Sequence, residues 1–177
     1  MSERDIYGKA KSQMRLFERI VGELPGFRGY KEKELRRESD RLLRNHLYGK
    51  LSEARDNLKQ AYQKLADRRR FDVMSDADRL LAKFDRTAEK VNHASYGYAG
   101  FFNVVKIEEE GLDRMIQFDN ELFDDVDKIV EATAGFKADV AAQKFDTAAG
   151  WIQSLTGAIE ALEKAFDKRE ETILGVS

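Results

Sequence analysis

The chain has 177 residues, of which 42% are hydrophobic and 36% are charged, and its formal net charge is −2. The charged share lies well above the ~25% of an average globular domain, which is typical of helices with one apolar stripe and wide solvated faces. Acidic and basic residues are interspersed, so we expect no nucleic-acid partner. The absence of cysteine excludes disulfides and cysteine-based zinc sites and fits a cytoplasmic protein. No apolar run approaches the ~18 residues that a transmembrane helix needs.

The first predicted helix covers about residues 3–22 and ends at the turn signals Gly22 and Pro25. Apolar residues at helical spacing predict its buried stripe, which consists of Ile6, Ala10, Met14, Phe17 and Val21, widened by Leu16 and Ile20. The first break in the helical pattern follows as the segment LPGFRGY, residues 24–30. There Pro-Gly predicts a turn, and Gly29 is suited to a positive φ.

The second predicted helix is the longest and runs from about residue 30 or 31 to residue 69 or 70. At 1.5 Å per residue, about 40 helical residues span ~60 Å, so this helix is predicted to be the spine of an elongated bundle. Its buried side alternates spacings of four and three, which is typical of a coiled-coil seam. The seam consists of Leu47, Leu51, Ala54, Leu58, Ala61 and Leu65.

Ser75 is predicted to cap the third helix, which continues to about His93. Its seam has the same spacing and consists of Ala77, Leu81, Phe84, Ala88 and Val91. The second break, SYGYAGFFNVVKI at residues 95–107, is richer in aromatic residues than a typical solvated loop.

The fourth predicted helix begins between residues 108 and 110, and its buried side consists of Leu112, Met115, Leu122, Val126, Ile129 and Thr133. The stretch 136–144 is interpreted either as helix or as a helical connector. Asp146 and Thr147 are predicted to cap the last helix, which ends at Gly175. Because short connections favour antiparallel neighbours, we predict an all-α fold. It is an elongated antiparallel bundle of four to five helices that forms one domain over residues 1–177.

Carboxylates and histidines offer only an incomplete pattern for a metal site. Glu89 lies four residues before His93 on one helical face, whereas di-iron bundles use Glu-x-x-His elements. Asp119 lies on the seam between Met115 and Leu122, so a buried carboxylate there needs a cationic partner. We interpret Asp119 as one member of an interhelical ion pair with an arginine. We predict no metal, cofactor or small-molecule substrate, and Glu89, His93 and Asp119 are the candidates for a metal alternative.

The two breaks carry the candidate interaction residues, because arginine and aromatic side chains dominate protein contact surfaces. These residues are Phe27, Arg28, Gly29, Tyr30, Tyr96, Tyr98, Phe101 and Phe102. The segments LPGFRGYKEKELRR and YGYAGFF resemble small helical proteins from bacterial genomes that have no established activity. The resemblance implies a bacterial origin and the importance of both breaks, and it supplies no functional residue.

We therefore predict a non-enzymatic structural or protein-interaction module that binds a protein partner or itself through its helices. Two alternatives stay open. One is a carboxylate–histidine metal-binding bundle, with or without enzymatic activity, and the other is peripheral membrane association. In the membrane alternative the first helix binds anionic lipid through the basic residues opposite its apolar stripe, which are Arg4, Lys9, Lys11, Arg15 and Arg19.

Overall fold

The computed structural model describes residues 3–29, 33–93 and 109–174 of the chain. Five α-helices lie within these ranges: α1 (Glu3–Glu23), α2 (Lys33–Asp67), α3 (Phe71–His93), α4 (Glu109–Ala141) and α5 (Ala148–Leu174). A 3-10 turn, Phe145–Thr147, joins α4 to α5, and the described residues contain no strand. The all-α helical bundle predicted from the sequence is therefore confirmed.

Helices α2 to α5 form a four-helix ring, in which α2 contacts α3 and α4, and α5 contacts α4 and α3. Neighbours joined by a short turn, α2 with α3 and α4 with α5, are antiparallel. α2 and α4 run parallel, because Lys50 Nζ lies 2.6 Å from Asp127 Oδ1 and, further along both helices, Lys137 Nζ lies 3.1 Å from Asn57 Oδ1. α1 packs on the outside of the ring, mainly against α4.

α2 has 35 described residues, so the predicted spine of about 40 residues is not exactly matched. The helix ends at Asp67 because Arg69 adopts φ 57°, a left-handed conformation. The N–H groups of Arg69 and Arg70 donate to the carbonyls of Ala66 and Leu65 at 2.9 and 3.0 Å, the Schellman pattern that closes a helix. α4, with 33 residues, is almost as long as α2. Two long helices therefore share the role predicted for a single spine.

Two other predicted boundaries shift in the structure. α3 begins at Phe71, so Ser75 lies inside the helix and the prediction that it caps the helix was wrong. α4 continues through Gly135 to Ala141 without a break, as expected if residues 136–144 are mostly helical. Gly135 serves packing, because a Cβ at this position would lie 2.9 Å from the ring of Trp151.

The seams of the helices form the core of the bundle. All six predicted seam residues of α2 are at most 1% exposed. On α3, Leu80 is 1% exposed, whereas the predicted seam residue Leu81 is only partly buried. On α1, Ile20 is fully buried, but Met14 is 63% and Val21 41% exposed, so placing these two in the buried stripe was wrong. Because α1 lies outside the ring, it buries only the face that carries Ile20.

Candidate functional site

Charged residues interrupt three apolar seams at one level of the bundle. Asp40 and Arg44 lie on α2, Asp119 lies on α4 and Arg169 lies on α5. Their exposed fractions are 1%, 4%, 0% and 1%, so solvent is excluded from all four side chains. We call these four residues the charge cluster.

Arg169 joins the two aspartates of the charge cluster. Its Nε donates to Asp119 Oδ1 at 2.6 Å, and its Nη1 donates to Asp40 Oδ1 at 2.8 Å. Arg44 Nε donates to the other oxygen of Asp40, Oδ2, at 2.8 Å. Arg44 Nη1 also donates to the backbone carbonyl of Asn92 at 2.9 Å, near the end of α3. The charge cluster therefore connects all four helices of the ring.

The charges of the cluster cancel formally, since two carboxylates face two guanidinium groups. Burying a charge costs several kcal/mol, and this cost is offset only by a close opposite charge and by hydrogen bonds to the charged atoms. Each member of the cluster therefore depends on the others. Because solvent does not reach these side chains, a dissolved substrate does not reach them either in this conformation. The arrangement is suited to holding helices in register.

The described residues at the edges of both glycine–aromatic breaks are hydrogen-bonded to α2 beside the charge cluster. In the first break, the Gly29 carbonyl accepts a hydrogen bond from Ser39 Oγ at 2.9 Å. The second break follows α3, whose penultimate residue, Asn92, accepts the hydrogen bond from Arg44. The described residues that flank the two breaks thus contact adjacent turns of α2.

The structure places three of the candidate interaction residues. Phe27 is 5% exposed and belongs to the core, where its ring centroid lies 5.8 Å from that of Phe17. Arg28 is exposed, and Gly29 is buried with φ 86°, which confirms the predicted positive φ. The remaining candidates lie outside the described residues: Tyr30, Tyr96, Tyr98, Phe101 and Phe102. Among the described candidates, Arg28 is the one whose side chain is available to a partner.

The three metal candidates do not come together in one site. His93 Nε2 lies 3.0 Å from Glu89 Oε2, and both side chains are about half exposed, at 60% and 48%. Asp119 is fully buried and bound to Arg169. Within the described ranges, no group of three or more His, Asp or Glu residues could hold a metal ion. The prediction that Asp119 pairs with an arginine of another helix is confirmed.

A second polar group lies at the opposite end of the bundle, at the corner between α4 and α5. Asp139 Oδ2 accepts a hydrogen bond from Trp151 Nε1 at 2.9 Å and lies 3.2 Å from Thr147 Oγ1, while Lys144 Nζ lies 3.3 Å from Asp139 Oδ1. We call these four residues the corner cluster. The hydrogen bond from Trp151, followed by those from Lys144 and Thr147, lowers the pKa of the Asp139 carboxyl below its ordinary value. The Asp139 side chain remains 24% exposed, so water helps to solvate its charge.

Reasoning from the sequence missed Asp40 and Arg169 as members of a buried cluster. A signal for Arg169 was present, because the buried residues Ile159, Leu162 and Phe166 alternate spacings of three and four, and Arg169 occupies the next position. A charged residue at a seam position predicts a buried partner of opposite charge. The spacing does not predict which residue that partner is.

Comparisons of this chain with protein-family models, with curated proteins and with solved structures find no match. The function is therefore argued from the geometry of the chain itself. In the parts that the structure describes, no helix is both long enough and apolar enough to cross a membrane.

Proposed function

We propose that this chain is a non-enzymatic protein-interaction module whose contact surface lies at the bundle end that holds Gly29 and Asn92, the described residues at the edges of the two breaks. The partner is another protein, bound by arginine and aromatic side chains of residues 24–30 and 95–107. Arg28 is the described member of this surface, and the aromatic members Tyr96, Tyr98, Phe101 and Phe102 lie outside the described residues. A cytoplasmic location and a bacterial origin belong to the same proposal.

The observation that carries this proposal is the position of the charge cluster beside Gly29 and Asn92, the described residues at the edges of the two breaks. A contact surface made of two separate segments benefits from rigid support, because ordering loose segments on binding costs conformational entropy. The hydrogen bonds from Ser39 to the Gly29 carbonyl and from Arg44 to the Asn92 carbonyl supply such support at the edge of each break. Gly29 and Asn92 are 63 residues apart in the sequence, and both are thereby hydrogen-bonded to α2.

The surroundings of Arg28 also support the proposal. Its neighbour Phe27 is fixed in the core, and Gly29 is fixed by its hydrogen bond to Ser39, so the backbone on both sides of Arg28 is held. The Arg28 side chain is exposed and forms no ion pair with another described residue. A preorganised backbone that presents an exposed arginine suits a binding hot spot, since little entropy is lost when the partner arrives.

The test compares the full chain with two variants, Arg28→Glu and Phe101→Ala/Phe102→Ala. Each protein is immobilised, used to capture proteins from an extract of cells that make it, and the captured proteins are quantified. Because the variants alter different segments of one proposed surface, we expect both to lose the same partners by about tenfold or more. The free energy of unfolding should stay close to that of the wild type.

The matched control is Arg68→Glu, because Arg68 is also an exposed arginine but lies in the turn between α2 and α3 at the other end. This control is expected to keep the wild-type partners. If both break variants keep the partners, oligomeric state and stability of the wild type, the breaks are only connectors and the proposal fails.

A further inference from the structure

α1 carries an apolar stripe that stays exposed in the chain. Met14 and Val21 are 63% and 41% exposed. They are seven residues apart and therefore lie on one face of the helix, two turns from each other. The face that carries Ile20 is already buried against the ring. α1 thus has two apolar sides, one used within the chain and one that faces solvent.

Two opposite charges accompany this stripe at the same spacing. Lys11 precedes Met14 by three residues, and Glu18 precedes Val21 by three residues, so each lies one turn from an exposed apolar side chain. Both charged side chains are exposed, and neither forms an ion pair with another residue in the described ranges. The stripe therefore has a basic half and an acidic half whose charges form no ion pair with the residues that the structure describes.

We propose that this face of α1 binds a second copy of the chain, with the two α1 helices antiparallel. With the two-fold axis between residues 14 and 15, Lys11 lies opposite the partner's Glu18, and Glu18 lies opposite the partner's Lys11. The symmetry forms each ion pair twice. It places the two Met14 side chains next to each other at the centre, where each also lies opposite the partner's Arg15. A self-complementary patch of this kind is what a two-fold interface requires.

Charge complementarity favours the antiparallel dimer over a parallel dimer and over a membrane surface. In a parallel pair of α1 helices, Lys11 would face the partner's Lys11 and Glu18 the partner's Glu18, and like charges at these positions repel. On an anionic membrane the basic residues of α1 would be attracted but Glu18 would have no partner, whereas in the antiparallel dimer Glu18 pairs with Lys11. Because few apolar side chains are available, the interface is small, and we expect a weak dimer that forms as the concentration rises.

The α1 surface formed by Met14 and Val21 differs from the bundle end proposed above as the contact surface. The inference therefore goes beyond the proposed function, and each can fail without the other. A loss of dimer in the α1 variants should leave the partners that depend on Arg28 unchanged.

The test is sedimentation equilibrium of the full chain, which measures the dissociation constant of the dimer. The single variants Lys11→Glu and Glu18→Lys each place like charges opposite each other twice in the dimer. We expect each to raise the dissociation constant at least about fivefold. The double variant Lys11→Glu/Glu18→Lys recreates both pairs in reverse, so we expect it to return to within about twofold of the wild type.

The matched control is Lys59→Glu, which makes the same charge change at an exposed position of α2 and should leave the dissociation constant unchanged. A wild type that stays monomeric up to ~1 mM overturns the inference. So does a double variant that fails to recover, or a control that weakens the dimer as much as Lys11→Glu does. Binding of the monomer to anionic vesicles, lost in Met14→Glu, would assign the stripe to a membrane and also overturn it.

Discussion

The charge cluster and the corner cluster use the same chemistry in different surroundings. Both are organised by an aspartate that accepts hydrogen bonds from more than one residue. Asp40 accepts hydrogen bonds from two guanidinium groups, each at 2.8 Å, and Asp139 accepts one from Trp151 at 2.9 Å beside Lys144 and Thr147. The difference is solvent, because the Asp40 side chain is 2% exposed and that of Asp139 is 24% exposed.

This difference in exposure indicates that access to water determines how much stability is lost when an aspartate loses a hydrogen-bond partner. When a partly exposed carboxylate loses a hydrogen bond, water replaces the missing donor. When a buried carboxylate loses its arginine, no water is present, and the full desolvation cost of the charge appears in the stability. We therefore expect the charge cluster to be the sensitive region and the corner cluster the tolerant one.

The largest effect is expected for Arg169→Met, which keeps much of the side-chain volume and removes the charge. The variant leaves Asp119 and one side of Asp40 without a buried guanidinium, so we expect a loss of about 3–5 kcal/mol in the free energy of unfolding. Urea unfolding followed by circular dichroism measures it. A loss below ~1 kcal/mol would contradict the expected difference between the two clusters, since it would mean that water reaches the charge cluster.

The double variant Asp119→Leu/Arg169→Met sharpens this prediction. It removes one carboxylate together with its arginine and leaves Asp40 paired with Arg44. We expect it to be more stable than Arg169→Met alone by at least ~1 kcal/mol, because the buried Asp119 carboxylate is removed together with the guanidinium that compensates its charge. If the two variants are equally unstable, lost packing and not unpaired charge explains the effect of removing Arg169.

A smaller effect is expected at the corner, from Gly135→Ala. The new Cβ would lie 2.9 Å from the ring of Trp151, which is held by its bond to Asp139 and by stacking on Phe136 with ring centroids 6.4 Å apart. Overpacking of this kind costs ~1–3 kcal/mol, and alanine regains up to ~1 kcal/mol through its helix propensity. We expect a net loss of about 1 kcal/mol in urea unfolding, with altered near-ultraviolet dichroism of the tryptophan.

The control for this variant is Gly49→Ala on α2, where a Cβ would meet nothing within 4 Å. There the helix propensity acts alone, so we expect a gain of up to ~1 kcal/mol in the free energy of unfolding. A stabilised Gly135→Ala variant would show that the Trp151 ring moves freely, and that the corner is looser than its hydrogen bonds indicate.

The smallest effect is expected from the titration of Asp139. Its pKa is lowered in the folded chain, so its contribution to stability is complete above the ordinary aspartate value of 3.8 and is lost as the pH falls through the lower folded value. We expect Asp139→Asn to be less stable than the wild type at pH 7, with a difference that shrinks below about pH 4. Urea unfolding at several pH values measures this difference. The exposed Asp56→Asn is the control, and a difference that grows on acidification would contradict the prediction.

Local patterns in the sequence were sufficient to predict much of the fold. The four-three spacing of Leu47 to Leu65 predicted the buried side of α2, and every residue of that seam is at most 1% exposed. The position of Asp119 between two apolar seam residues predicted a buried pair with an arginine. Helix ends were harder to predict, because Arg69 ends α2 in a left-handed conformation that is more typical of glycine.

The sequence by itself determined which faces of α2 and α4 are buried and that Asp119 needs a cation, since helical periodicity relates residues three or four positions apart. Only the tertiary structure decided that the cation is Arg169, 50 residues along the chain, and that the same guanidinium reaches Asp40, 129 residues away. It also decided that α1 buries Ile20 and leaves Met14 exposed. The physical reason is that these outcomes depend on how the helices align along their axes, which is set by turns and core packing and by no local spacing.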